Sequence, residues 1–285
     1  MTTTTLQTPT QQGVSVDQPR ARFGDLIAAE WIKLWSLRST AWAFLVTAVV
    51  VVGLSLNGAY ADYSNYPYYG AGIRANFVPY WAISDAFNNG SAYLLIIAAG
   101  AIGANMIVSE YGTRQIRTTF AAVPARRSLM AAKVVVATVV FLVFGAVLAA
   151  VSFWSTQAVL HGRHAGLSIG YPGALRVVIA SALLAPLAAL IGMAVGAVIR
   201  HTATTMVGLI VLNIVVPALL MDQRRLPAAV DEALPMTAWD RLSAIGNDTG
   251  PGPITTTVGH AWTVYAVWAV IAVIVTIVVA DRRDV

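Results

Sequence analysis

No cysteine occurs in the sequence, which removes disulfides, thiolate nucleophiles and thiolate metal ligands from consideration. Charge is scarce as well. Asp, Glu, Lys and Arg make up 11% of the chain, 58% is hydrophobic, and the mean hydropathy is +0.70; a soluble domain carries about 25% charged residues. So few charges could not cover the outside of a 285-residue globule, and a bilayer is the surface that would cover it instead. Other absences narrow the chemistry. There is no G-x-x-x-x-G-K-[ST] loop to cradle nucleotide phosphates and no H-E-x-x-H to hold zinc. The four histidines (His161, His164, His201 and His260) lack the carboxylate company of a metal site. Ser152, Ser155 and Ser181 fall in apolar segments with no His, Lys or Asp there to activate them. No catalytic residue, cofactor site or metal site is therefore expected in this chain, and no nucleic-acid partner.

The few charges divide the chain into long uncharged intervals: Arg38 to Asp62, Asp85 to Glu110, Lys133 to Arg163, Arg176 to Arg200, Arg200 to Asp222, and Asp248 to Asp281. Each holds at least 20 residues, the length that carries a helix across ~30 Å of hydrocarbon. They are too long and too continuously apolar for barrel strands, and helices satisfy their own backbone hydrogen bonds in lipid. The expected fold is an all-α integral membrane protein with six spans, near 40–59, 88–108, 134–158, 174–199, 205–220 and 261–280. With the N-terminus inside, both lysines and most arginines fall on the cytoplasmic side, the asymmetry that orients membrane proteins. Both termini are then cytoplasmic. Arginine outnumbers lysine heavily, and Ala and Val are abundant, a composition of GC-rich bacterial genomes; the expected location is a bacterial plasma membrane.

Residues 1–21 are rich in Thr and Gln without an apolar run and read as a disordered tail. Residues 22–38 read as an amphipathic interfacial helix that leads into the six-helix transmembrane domain at 39–285. At 100° per residue, Phe23, Ile27, Trp31 and Leu34 share a face, extended by Leu26 and Leu37, with Lys33 roughly opposite. Trp31 and Trp35 suit the headgroup zone. Glu30 interrupts the apolar face. Pro186 sits mid-span and should kink the fourth span. Gly192-x-x-x-Gly196 in the same span allows a close helix approach, within the chain or between two copies. Asn213 is the deepest polar candidate for a pathway. Spans without titratable groups offer a carrier no evident way to couple to a proton gradient.

The most informative stretch is SEYGTRQIRTTFAAVPARRSLMAAK, residues 109–133. A helix through it sets Ile116 and Phe120 one turn apart, with Arg114 and Arg117 beside them, until Pro124 ends it. An apolar knob with basic flanks suits docking into a soluble partner. Together with AEWIKLWSLRST at residues 29–40 and six spans, this loop resembles the type-2 ABC transporter permeases of actinobacterial type. The resemblance implies a half-transporter that pairs with a second permease chain and with a separate ATP-binding subunit that uses the ATP. It further implies that Glu110, Arg114, Ile116, Arg117 and Phe120 transmit the movement of that subunit. Two other readings stay open, a secondary transporter and a non-transporting membrane protein, either anchor or enzyme.

Overall fold

The structure is a computed structural model that describes residues 22–112, 126–216, 228–245 and 257–282. It is all-helical, with no strand among the described residues. Five helical stretches are long and apolar enough to cross a membrane, which is the architecture of a multi-pass membrane protein. The fifth expected span, 205–220, is described only as far as residue 216. That part lies in α8 (Thr202–Ile210), followed by a π-helical turn at Val211–Val215, an apolar helix that continues to the limit of the described residues.

The chain opens with α1 (Phe23–Ser36). Leu37, in extended backbone, separates it from α2 (Arg38–Asn65), so the amphipathic helix and the first long helix can take different directions. The aromatic segment that follows folds into α3 (Ala71–Asn76), a π-helical turn and α4 (Ala82–Ala86). Its tyrosines pack on one another: Phe77, fully buried, meets Tyr66 edge-on at 5.1 Å between ring centroids. Then come α5 (Asn89–Gly112), α6 (Arg126–His161) and α7 (Ala174–Ile199). Two short helices, α9 (Ala228–Glu232) and α10 (Pro235–Ser243), precede α11 (Val258–Arg282). Pro235 occupies the first helical turn of α10, where a missing N–H costs nothing.

The centre of the bundle is α7. Of its most apolar window 78% is buried within the chain, against 28% for α2 and 22% for α11; α7 is walled by α5, α6 and α11, while α2 and α11 present apolar faces outward. Small residues make this burial possible. A Cβ at Gly192 would fall on the carbonyl of Gly100, and one at Gly103 on the backbone of Ala189, so α5 and α7 touch backbone to backbone. Gly196 lies against Ala104 and Val108 of α5. The Gly192 and Gly196 stripe therefore serves packing inside the chain. Pro186 does not interrupt α7. A proline cannot bond the carbonyl four residues back, here that of Ala182, and this carbonyl lies over Gly145 of α6, where a Cβ would collide with it.

α10 is seated on the far side of the bundle from α1. Trp239 is 1% exposed, and its indole N–H donates to the Ser181 hydroxyl at 3.1 Å. Arg176 of α7 donates to the carbonyls of Leu242 (3.1 Å) and Ala244, neutralising the negative end of α10. Gln157 ties down the same end. Its amide N–H donates to Ala82 O at 2.8 Å, and its carbonyl accepts from Leu167 N at 2.7 Å.

Candidate functional site

Every lysine in the sequence, and two of its three glutamates, meet at one place. The chain has only Lys33 and Lys133, and its glutamates are Glu30, Glu110 and Glu232. Glu30 and Lys33 come from α1, Glu110 from the last turn of α5, and Lys133 from the second turn of α6. Lys133 Nζ donates to Glu30 Oε2 and, at 2.7 Å, to Glu110 Oε1. Lys33 Nζ donates to the same Glu110 oxygen and stands 3.8 Å from Glu30 Oε1. The four side chains thus form a closed ring of alternating sign with zero net charge.

Burial makes the ring consequential. Lys133 is 1% exposed, Glu110 2% and Glu30 4%; the Lys33 side chain, 37% exposed, is the one edge open to solvent. An isolated buried charge is costly, so each group depends on its neighbours. Glu110 also sits at the negative end of α5, where a carboxylate is disfavoured, and the two ammonium groups offset this. A surface ion pair would contribute about 0–1 kcal/mol; removing one member of a buried pair costs about 3–5 kcal/mol.

The ring explains an irregularity of α1. Its buried stripe is Leu26, Glu30 and Leu34, spaced four residues apart along one face. Phe23, Trp31, Ile32, Trp35 and Leu37 are exposed. The expected single apolar face is therefore two faces, one turned to the bundle through Leu26, Glu30 and Leu34 and one carrying the tryptophans outward. Glu30 interrupts the pattern because that face meets Lys133. Lys33 is not opposite the buried stripe but at its margin.

Beside the ring, the Arg200 guanidinium lies 4.5 Å over the ring of Tyr111, the residue after Glu110. Arg200 ends α7 in left-handed backbone at φ 59°, which brings the end of α7 against the end of α5.

The sequence-predicted residues fall into three groups. Glu110 is in the ring, joined by Lys33. Arg114, Ile116, Arg117 and Phe120 lie outside the described residues, between the helix that ends two residues after Glu110 and the one that begins seven residues before Lys133. Asn213 is 4% exposed, and its amide donates back to Leu209 O at 2.9 Å; it lines a small apolar pocket with Leu187 and Pro235, not an open passage.

One string, Gly166-Leu167-Ser168-Ile169-Gly170, has the spacing of a nucleophile elbow. An elbow is a strained turn from strand to helix. Here the serine is exposed in a connection between two helices, and its hydroxyl accepts from Gly170 N at 3.3 Å. Among the described residues no group of three or more His, Cys, Asp or Glu could hold a metal ion.

Glu30 and Lys133 were not among the sequence-predicted site residues. The usable signal was scarcity: of two lysines and three glutamates, Glu30 and Lys33 fall in the interfacial helix and Glu110 and Lys133 at span ends, all on the side that the charge asymmetry would make cytoplasmic. Compared with models of known families and with curated proteins, the chain matches none.

Proposed function

We propose that this chain is the membrane-spanning subunit of an ATP-driven exporter and that the four-charge ring links the loop at 113–125 to the spans. The observation that carries the reading is the ring itself. It fastens the interfacial helix α1 to the ends of α5 and α6, and these two ends are the points where residues 113–125 join the bundle. A push on that loop by a soluble ATPase would reach α5 at Glu110 and α6 at Lys133, and α1 would move with them. Arg114, Ile116, Arg117 and Phe120 are the docking residues in this proposal, and a second permease chain completes the pathway. The uncharged spans support a carrier whose energy comes from outside the membrane.

The proposal includes six spans, with α8 and the residues after it making the fifth, and both termini in the cytoplasm of a bacterium. α1 then lies along the inner surface, its exposed tryptophans in the headgroup zone.

The test is co-purification with an ATPase encoded beside this chain, where the genome holds one, followed by ATP-dependent export from vesicles. Ile116→Ala with Phe120→Ala is expected to lose the ATPase on affinity capture. Glu110→Gln is expected to retain the ATPase while export falls at least tenfold. Export that follows an ion gradient and ignores ATP would replace this reading with a secondary transporter.

A further inference from the structure

The far end of the bundle holds a second buried feature that the ring does not involve. A cavity lies among α2, α5, α6, α7 and Trp239 of α10, with about 20 Å³ of space for a water-sized guest. Its walls are apolar except for Ser91, Ser152 and Ser181, which are 5%, 2% and 7% exposed. No charged side chain lines it.

The hydroxyl bonds do not balance. Ser91 donates to Asn88 O at 2.8 Å, so only its lone pairs remain available. Ser181 Oγ accepts from the Trp239 indole, and its own O–H has no acceptor among the described residues. Ser152 Oγ is buried with no partner among the described residues, although a hydroxyl in a helix can donate to the carbonyl four residues back, as Ser55 and Thr156 do. A buried hydroxyl left unmade costs about 1–3 kcal/mol. Two such donors facing one cavity therefore call for an acceptor within it.

We propose that the cavity is a binding site for one water molecule, held by the hydroxyls of Ser152 and Ser181 and returning a hydrogen bond to Ser91. The space suits the guest: a site needs about 10–15 Å³ to hold a water, and two to four polar partners. Anions are excluded because no cation lines the cavity, and cations because no carboxylate does. Through Ser181 and the Trp239 indole, this water joins α6 and α7 to α10. The inference does not depend on the transport reading.

Xenon separates a wet cavity from a dry one, because an apolar cavity without water binds it. Crystals of the full chain in lipidic mesophase, with and without xenon pressure, are the experiment. The wild type is expected to show one water within hydrogen-bond reach of Ser152 and Ser181 and no xenon there. Ser152→Ala combined with Ser181→Ala is expected to lose the water and admit xenon. Ser152→Ala alone keeps the Trp239 bond, so it serves if the double variant does not fold; its water occupancy should fall at least twofold. Xenon in the wild-type cavity, or a water indifferent to both substitutions, would overturn the proposal.

Discussion

Lys133 holds two carboxylates from two other helices, Glu30 and Glu110, and is the residue whose loss the ring can least absorb. Lys133→Met leaves both carboxylates to Lys33 alone, and stability in detergent should fall by about 3–5 kcal/mol. Lys133→Met combined with Glu110→Met should recover most of that loss, because Glu30 and Lys33 remain neighbours on α1 and the two methionines fill the vacated space. Thermal melts of the three proteins measure this. If the ring also transmits motion, the double variant will be stable and still inactive in transport, a separation that no purely structural role predicts. At the other end, Asp240 in α10 is pushed up to about 7, first by burial and then by Asp231 nearby. Its carboxyl in the unfolded chain titrates near ~4, so the folded form prefers the proton. The stability it contributes is full below that value and is lost as pH rises through about 7. Amide exchange in α10, corrected for the intrinsic pH effect, should therefore quicken between mildly acidic and mildly alkaline buffer. Asp240→Asn should flatten this dependence.

Helices were easier to read from the sequence than their partners. The uncharged intervals marked α2, α5, α6, α7 and α11 because apolar length is a property of one segment at a time. Their true extents are longer at several ends. α6 starts at Arg126, eight residues before the expected start of its span, and runs for 36 residues, roughly 54 Å at 1.5 Å per residue. Charged residues can extend a helix beyond hydrocarbon, and hydropathy does not register them. The ring was only partly legible, since Glu30 and Lys133 are 103 positions apart and their meeting depends on how α1 folds back. A defect in a local pattern pointed at Glu30, but only the packing of α1 against α6 supplies its reason. The Gly192 stripe was likewise visible, while its partner, Gly100, was not. Gly192→Val is expected to force α5 and α7 apart and to reduce folded yield severely; overpacking a tight core ordinarily costs about 1–3 kcal/mol, and here the obstacle is backbone. A variant with wild-type yield and melting temperature would show that the two helices have more slack than this contact allows.

For the molecule as a whole, the two ends differ in kind. One end carries a charge ring and the joins to residues 113–125. The other carries aromatic packing, the seat of α10 and an uncharged cavity. Under the proposed function, work would be delivered at the first end and cargo handled at the other. The absence of cysteine makes the orientation directly measurable, since any introduced thiol is the only one. Tyr68, 86% exposed beside the aromatic cluster, should as Tyr68→Cys react with a membrane-impermeant thiol reagent applied to whole cells. Phe23→Cys, at the start of α1, should react only after the cells are opened. The reverse pattern would invert the topology, and reaction of both from outside would rule out the crossing by α2 between them.

Apart from the chain's own amino terminus, the ring contains every primary amine in the protein. Amine-directed reagents therefore report on this one site without any engineering. Under brief reductive methylation, mass spectrometry should find Lys33 modified and Lys133, at 1% exposure, untouched. If the ring opens during a working cycle, Lys133 will become reactive in step with it, and unmodified wild-type protein will record its own motion in a single mass difference.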